Sequence, residues 1–169
     1  TGDAAGYADR AELLDYCHRS ADPVGRLLLH LYGIGDAESL ARSDRICSAL
    51  QLVNFWQDIS QDLARGRRYL TDADCVAHGI DPLRPQDAPP AARIALVRDL
   101  CAWARRLMLD GAPLVHRVPG RAGWELRLVV QGGLRVLDRI EALGWDTFVA
   151  RPKLGRGDAL PVLWRAARM

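Results

Sequence analysis

The chain has 169 residues, of which 49% are hydrophobic, and this is enough to form one well-buried domain. Its formal net charge of +2 does not indicate the basic surface of a nucleic-acid-binding protein, so no nucleic-acid partner is expected. No signal-peptide pattern and no unbroken apolar run of about 20 residues occurs in it, so the sequence does not predict a membrane-spanning protein.

Apolar residues recur at helical spacing along most of the chain without strand-like alternation, which predicts a single all-α domain over residues 1–169. Pro23 separates the first two helices, and Gly33 ends the second. Asp36 has the position of an N-cap for a long helix that Gly66 closes. The predicted helices cover residues 7–21, 24–32, 36–65, 72–78, 91–110, 122–143 and 159–168, with a possible continuation of the fifth to residue 116.

Gly132 and Gly133 lie inside the helix predicted over residues 122–143. Each glycine costs a helix interior about 1 kcal/mol relative to alanine. The pair therefore indicates the close approach of either another helix or a ligand, and helix packing is the simpler interpretation.

The four cysteines have neither Cys-x-x-Cys spacing nor the pattern of a disulfide framework. Three lie on apolar helical stretches, where a reduced cysteine behaves as a small hydrophobe. We therefore expect reduced core cysteines and a cytoplasmic protein. The four are Cys17, Cys47, Cys75 and Cys101.

Five polar residues line one side of the long predicted helix, and we call them the polar stripe. At about 100° per residue, Gln51, Asn54, Asp58, Asp62 and Arg65 fall within a sector roughly 80° wide. A surface helix normally has one apolar and one polar face, whereas this stripe is apolar on both flanks. It is therefore predicted to face an enclosed cavity. The flanking residues are Leu52, Phe55, Trp56, Ile59 and Leu63 on one side and Ile46, Leu50 and Val53 on the other.

The polar stripe offers the donor set of a Mg²⁺ site. Asn54, Asp58 and Asp62 supply one amide oxygen and two carboxylates, and Mg²⁺ takes one or two carboxylates together with waters and substrate phosphate oxygens. The guanidinium fork matches phosphate geometry, which suits the arginines that follow: Arg65, Arg67 and Arg68. The alternative is a solvated helix on which Asp62 pairs with Arg65 or Arg68.

Two spaced motifs carry a family resemblance. The first is Gln-x-x-Asn-x-x-x-Asp-x-x-x-Asp over residues 51–62, followed by Gly-Arg-x-Tyr-Leu over residues 66–70. The other, Tyr-Cys-His-Arg-Ser-Ala-Asp-Pro-Val-Gly, covers residues 16–25. The first resembles the second aspartate-rich motif of the squalene/phytoene synthase family. The other is similar to that family's Tyr-Cys-Tyr-x-Val-Ala-Gly-x-Val-Gly helix, and the resemblance extends over nearly the whole chain.

Smaller details resemble the bacterial hopanoid-pathway branch of this family, which makes hydroxysqualene or squalene. These are Arg-Ser-Ala-x-Pro-Val-Gly-Arg at 19–26, Asn-Phe-Trp-Gln-Asp at 54–58, Gln-Gly-Gly at 131–133 and Arg-Pro-Lys-Leu-Gly at 151–155. The resemblance implies a prenyltransferase that processes farnesyl diphosphate or presqualene diphosphate with Mg²⁺. The alternatives are a sister enzyme that makes presqualene diphosphate or phytoene, and a non-catalytic helical fragment.

The resemblance also implies a helical bundle of the trans-isoprenyl diphosphate synthase type. Relatives carry a first aspartate-rich motif in an N-terminal half, and nothing in this sequence matches that motif. We therefore expect this chain to be the C-terminal half of such a bundle, with the N-terminal half of the same enzyme as its partner. The isolated chain is expected to be inactive.

Position within the two motifs implies roles for individual residues. Asn54, Asp58 and Asp62 would bind Mg²⁺, which makes the two aspartates catalytic. Tyr16 would be catalytic through a phenol ring near the reacting carbocation, and Phe55 could contribute similarly because aromatic faces stabilise cations. The residues expected to contact the substrate are Gln51, Phe55, Arg65 and Arg68.

His18 and Asp22 stand one helical turn apart, where the commoner family pattern has tyrosine and glycine. The two side chains could form a hydrogen-bonded pair. If the reaction ends by water capture of the cation, a polar group here could position that water. His78 and His116 lie outside any motif and are expected to be ordinary surface or boundary residues.

The last predicted helix combines apolar and basic residues. This pattern allows contact with an anionic membrane surface, here the inner membrane surface facing the cytoplasm. The alternative is that Leu160, Leu163 and Trp164 pack back onto the bundle. The apolar residues are Leu160, Val162, Leu163, Trp164 and Ala167, and the basic ones are Arg151, Lys153, Arg156, Arg165 and Arg168.

Overall fold

A computed structural model describes residues 6–169, so the first five residues of the predicted domain lie outside the described part of the chain. The helices are α1 (Arg10–Ser20), α2 (Asp22–Leu31), α3 (Ala37–Gln57), α4 (Ile59–Ala64), α5 (Asp72–Ala77), α6 (Pro90–Gly111), α7 (Gly120–Ala142) and α8 (Ala159–Ala167). Short 3₁₀ turns cover Pro85–Asp87, Ala112–His116 and Arg156–Asp158. Within residues 6–169 no strand forms beyond an isolated bridge between Tyr7 and Thr71, which confirms the all-α prediction.

Helices α3 and α6 form the centre of the bundle and run antiparallel to each other. Trp56, near the end of α3, packs on Trp103 with ring centroids 6.5 Å apart. At the opposite end, a Cβ atom on Gly111 would lie 2.7 Å from the carbonyl oxygen of Arg42. Glycine at this position therefore lets the end of α6 approach the backbone of α3.

Helix α7 packs across both central helices at Gly133. A Cβ atom there would lie 2.7 Å from Cε of Met108 and 2.9 Å from Cδ2 of Leu50, whereas one on Gly132 would meet nothing within 4 Å. Of the two interpretations of the glycine pair, helix packing therefore holds for Gly133.

The first predicted helix begins three residues too early. Helix α1 starts at Arg10 because the side chain of Asp9 accepts hydrogen bonds from the backbone N–H groups of Ala11 and Glu12, which caps the helix there. The preceding Tyr7 is held instead by its bridge to Thr71. The predicted break before α2 lies at Ala21, and Pro23 sits in the first turn of α2, where proline is tolerated.

The long predicted helix over residues 36–65 is interrupted at Asp58, so the prediction of one continuous helix is wrong. The backbone of Asp58 adopts φ −106° and ψ 12°, and its N–H is shared between the carbonyls of Asn54 at 3.0 Å and Phe55 at 3.3 Å. Hydrogen bonding then resumes in α4, where Asp62 N–H donates to the Asp58 carbonyl at 2.9 Å. The result is a kink between two helices at a position where the sequence has no proline or glycine to predict it.

The other predicted helices form with ends that shift by about two residues, and the continuation after α6 is the 3₁₀ turn Ala112–His116. All four cysteines are free, as predicted, and three of them are buried. Burial raises the pKa of Cys17 and Cys101 to about 12. Cys47, in contrast, is only half-buried.

Helix α8 packs on α7 through the buried Ala166 and through an ion pair of 2.7 Å between Arg165 and Asp138. Leu160, Leu163 and Trp164 nevertheless remain exposed, which contradicts the interpretation that they pack back onto the bundle. None of the helices in residues 6–169 is long and apolar enough to cross a membrane.

Candidate active site

The polar stripe runs from α3 across the kink into α4. Asn54, Asp58 and Asp62 are linked by the successive backbone hydrogen bonds that cross the kink, so they lie one helical turn apart as predicted. Asn54 is exposed, Asp58 is partly exposed and Asp62 is buried. At Asn54 the stripe therefore borders an open surface of the described chain, not the enclosed cavity that was predicted. The assignment of Mg²⁺ to these residues stays a prediction, and their hard oxygen donors suit that ion.

Asp58 is held by an arginine from the far end of the chain. Both carboxylate oxygens are engaged by Arg151, through Nε to Oδ1 and through Nη2 to Oδ2 at 3.1 Å. A hydrogen bond between neighbouring residues reinforces this pair. Nε2 of Gln57, which precedes Asp58, donates to the carbonyl oxygen of Pro152, which follows Arg151, at 2.7 Å. In the sequence, Arg151 is recognisable only as part of a family-like tract and of a basic C-terminal segment.

An aromatic cluster lies beside the stripe and contains both predicted aromatic site residues. Phe55 and Tyr69 stack with centroids 3.7 Å apart, and Tyr16 lies 6.3 Å from Phe55 and 6.2 Å from Tyr69. Tyr7 completes the cluster at 5.6 Å from Tyr16. Such ring faces can stabilise a positive charge nearby. Tyr69 belongs to the Gly-Arg-x-Tyr-Leu motif and could have been found there, whereas no sequence signal pointed to Tyr7.

The predicted substrate residues are placed at different points around the stripe. Gln51 is half-buried on α3, and Arg65 is exposed where α4 ends. The side chain of Arg68 turns to the following loop, where Nη1 donates to the Pro82 carbonyl at 2.7 Å and lies 3.8 Å from Asp72. Their role in substrate binding stays a prediction.

An apolar groove of about 320 Å³ lies between α2, α3 and α7. On α3 its wall includes Cys47 and Leu50, and Leu50 precedes Asn54 by one helical turn. The groove therefore ends one helical turn before Asn54, on the same side of α3. Its lining includes Val24, Leu28, Cys47, Leu50, Val118 and Leu126.

A second group of carboxylates lies toward the other end of α3. Among the described residues, the ligand atoms of His18, Asp22 and Asp44 come within 4.8 Å of one another, close enough to hold a metal ion. The predicted pair is confirmed, because Nδ1 of His18 lies within hydrogen-bonding distance of Oδ2 of Asp22. Ser48 Oγ donates to the other oxygen of Asp22 at 3.1 Å, and Arg26 binds both oxygens of Asp44 at 2.9 and 2.6 Å.

This second group was not predicted as a possible metal site. Its two aspartates come from different helices, α2 and α3, so their proximity depends on helix packing that the sequence pattern does not reveal. Burial raises the pKa of Asp22, although hydrogen bonds from His18 and Ser48 oppose that change.

The sequence model of the squalene/phytoene synthase family matches residues 2–158. The chain belongs to this family. Curated relatives agree: a phytoene synthase from Thermus thermophilus is 37% identical over 164 residues, covering 94% of this chain and 55% of its own length. A hydroxysqualene synthase from Sinorhizobium fredii is 30% identical over 139 residues, covering 81% of this chain and 46% of its own.

Solved structures of the family have the same fold. The squalene synthase from Alicyclobacillus acidocaldarius superposes with a TM-score of 0.78 at 37% identity, over 83% of this chain and 54% of that one. A dehydrosqualene synthase gives a TM-score of 0.83 at 22% identity, over 96% and 58% of the two chains. This chain thus spans about half the length of the relatives it matches.

Proposed function

We propose that this chain provides the second aspartate-rich motif and part of the hydrocarbon site of a squalene- or hydroxysqualene-forming prenyltransferase. The observation that supports this is that the apolar groove ends on α3 one helical turn before the polar stripe reaches Asn54. A substrate with a charged diphosphate head and a long apolar tail requires these two surfaces side by side.

The groove would bind the hydrocarbon by removing its surface from water. Mg²⁺ held by Asn54, Asp58 and Asp62 would supply charge stabilisation for the departing diphosphate. The aromatic cluster around Tyr16 and Phe55 would face the carbocation that remains. Asn54 lies on an open surface, so we propose that the N-terminal half of the enzyme closes the site and brings the first motif.

The choice of substrate, product and pathway rests on the family members that this chain resembles. Relatives named hydroxysqualene synthase and presqualene diphosphate synthase match it, and so does a phytoene synthase. We favour farnesyl or presqualene diphosphate as substrate and a role in hopanoid biosynthesis, because of the tracts at residues 19–26 and 151–155. The polar pair of His18 and Asp22 favours a hydroxylated product, since it could position the water that captures the cation.

Product analysis tests this proposal. The chain is incubated with Mg²⁺ and farnesyl or presqualene diphosphate, alone and joined to an N-terminal half that carries the first motif. From the joined protein we expect hydroxysqualene, formed when water captures the cation, or squalene when a hydride donor is added to the assay. Neither product is expected from the chain alone. Phytoene from a longer diphosphate as the main product would instead support the phytoene synthase alternative, and absence of any product from the joined protein would support a non-catalytic fragment.

A further inference from the structure

The Arg151–Asp58 pair joins two parts of the chain that are 93 residues apart in sequence. It engages both oxygens of the carboxylate through the Nε and Nη2 edge of the guanidinium. This is the geometry in which arginine binds a carboxylate or a phosphate most specifically. Both side chains are also about one-third exposed, with relative exposures of 36% for Arg151 and 27% for Asp58. The pair is therefore well oriented and also accessible to a competing ion.

The stretch that follows Arg151, residues 152–158, is anchored at both of its ends. Before α8, Asp158 accepts hydrogen bonds from Arg135 at 2.7 Å, from Arg139 at 2.8 Å and from the backbone N–H of Gly155 at 2.7 Å. At the other end, the buried Pro152 is held through its carbonyl by Gln57. Arg151 would therefore stay near the α3–α4 kink even when it releases Asp58.

The pair conflicts with the proposed use of Asp58 as a metal ligand. A cation at Asp58 needs at least one carboxylate oxygen, and both are occupied by a positively charged group. The guanidinium would also repel a divalent cation at this distance. Metal binding therefore requires Arg151 to move away from the carboxylate. A diphosphate bound to the metal would offer the displaced fork a new anionic partner of matching geometry.

We propose that Arg151 is an exchangeable partner, which neutralises Asp58 in the metal-free protein and transfers to the substrate diphosphate when metal and diphosphate bind. This inference rests on the proposed function. It makes Arg151 a substrate-binding residue and makes the 151–155 segment responsive to ligands. The opposing interpretation is a static ion pair, in which Arg151 keeps Asp58 as its partner whether or not metal and diphosphate are present.

The sequence contains a single lysine, Lys153, which lies two residues after Arg151. A lysine-specific endoprotease therefore cleaves the chain at one site and reports how firmly the 151–155 segment is held. The rate is measured for the wild type, Arg151→Ala and Asp58→Asn, without ligand, with Mg²⁺ alone, and with Mg²⁺ plus inorganic pyrophosphate. Arg156→Ala is the matched control, because it removes an exposed arginine from the same stretch.

Without ligand, Arg151→Ala and Asp58→Asn should be cleaved several-fold faster than the wild type and Arg156→Ala. Mg²⁺ alone should accelerate cleavage of the wild type, and added pyrophosphate should slow it again as Arg151 finds its new partner. Arg151→Ala should show neither response. Calorimetry in parallel should give weaker binding of pyrophosphate, with Mg²⁺ present, to Arg151→Ala than to Arg156→Ala.

Equal cleavage rates for all variants without ligand would overturn the proposal, and so would equal protection of Arg151→Ala and the wild type by pyrophosphate. Failure of the proposed function would look different. In that case the ligand-free differences would remain, but Mg²⁺ and pyrophosphate would change neither the cleavage rate nor the calorimetric signal of any variant. That outcome would overturn the transfer to diphosphate together with the metal site.

Discussion

The two groups of carboxylates along α3 differ in where their partners come from. Asp22 and Asp44, which we call the closed cluster, receive hydrogen bonds from His18, Ser48 and Arg26 in the same region of α1, α2 and α3. Asp58 and Asp62 form the open pair, and Asp58 is held by a residue from the distant C-terminal segment.

Compactness alone does not decide which of the two groups binds a metal. The closed cluster brings its ligand atoms within 4.8 Å of one another, yet its carboxylate oxygens already have local donors. A cation there would have to displace Arg26 and disturb a buried network. At Asp58, a cation has to displace a partly exposed arginine. We therefore expect Mg²⁺ at the open pair.

The strongest test of this comparison is to neutralise one carboxylate in each group. In the enzyme joined to its N-terminal half, Asp58→Asn should lower product formation by about 10²–10³-fold, because it removes charge that holds the metal against the leaving group. Asp44→Asn should leave binding of Mg²⁺ with pyrophosphate essentially unchanged. Circular dichroism checks that both variants keep their helices.

The reverse pattern would exchange the roles of the two groups. If Asp44→Asn abolished binding of Mg²⁺ with pyrophosphate while Asp58→Asn did not, the metal would belong to the closed cluster. The polar stripe would then be only a solvated helix face, which was the alternative interpretation of its sequence.

The part of the site that the sequence could predict is the part that depends on local spacing. Asn54, Asp58 and Asp62 lie one turn apart because helical geometry fixes that spacing once the residues are helical. The kink at Asp58 could not be predicted, since no proline or glycine marks it and the helix resumes after one residue. The presence of the helices could be predicted from the periodicity of apolar residues. Their exact ends could not, because they depend on caps such as Asp9.

Partners that are distant in sequence could not be predicted at all. Arg151 reaches Asp58 because Pro152 and Asp158, which follow it, are both anchored, and neither anchor has a periodic signature. Tyr7 joins the aromatic cluster through an isolated backbone bridge to Thr71. The family motifs identified Tyr16 and Phe55, which lie in helices, and they contain Tyr69 in the loop after α4, but they gave no information about Tyr7.

The two groups should also differ in what they contribute to stability. Ser48→Ala removes a buried hydroxyl that donates to the buried Asp22, so we expect the free energy of unfolding to fall by about 1–3 kcal/mol. Arg151→Ala removes a charged but partly exposed pair, and the expected loss is about 0–1 kcal/mol. Urea unfolding measures both, with Ser60→Ala on α4 as the control for a less buried serine. A larger loss for Arg151→Ala would contradict the view that its pair is the exchangeable one.

The closed cluster should show a characteristic dependence on pH. Because burial raises the pKa of Asp22 above its ordinary 3.8, the folded state binds more protons than the unfolded state between that value and the raised pKa. The contribution of Asp22 to the free energy of unfolding is therefore complete below pH 3.8. It falls as the pH rises from 3.8 through the raised pKa. The free energy of unfolding of the wild type, relative to Asp22→Asn, should decrease with rising pH; a flat or rising difference would show that His18 and Ser48 outweigh burial.

Asp158, whose pKa is lowered and not raised, provides the comparison for that measurement. Hydrogen bonds, first from the backbone of Gly155 and then from Arg135 and Arg139, lower the pKa of Asp158 to about 2. Its contribution should be present above pH 3.8 and lost as pH falls toward 2. Relative to Asp158→Asn, the wild type should therefore lose stability with falling pH, and the same sign for both aspartates would refute the assigned directions.

The smallest effect that we predict concerns membrane binding by α8. This helix follows the segment that carries Arg151, the partner of Asp58. Leu160 is 75% exposed and Trp164 is 57% exposed, and Arg168 lies over the Trp164 ring at 3.8 Å. A short helix with an exposed tryptophan beside arginines can rest on an anionic membrane. We propose this contact for an enzyme whose substrates have long hydrocarbon chains, and the double variant Leu160→Ser/Trp164→Ser tests it.

Binding to sedimented vesicles of phosphatidylglycerol and phosphatidylcholine should fall by roughly five- to tenfold in that variant, since each side chain would bury part of its apolar surface in the membrane. The packing of α8 should survive, because it depends on Ala166 and on the Arg165–Asp138 pair. The matched control is Leu83→Ser/Trp124→Ser, which removes the same two residue types from exposed positions outside α8. Equal vesicle binding by the two double variants would show that α8 is not the membrane contact, and that exposure of its apolar residues serves another contact of the complete enzyme.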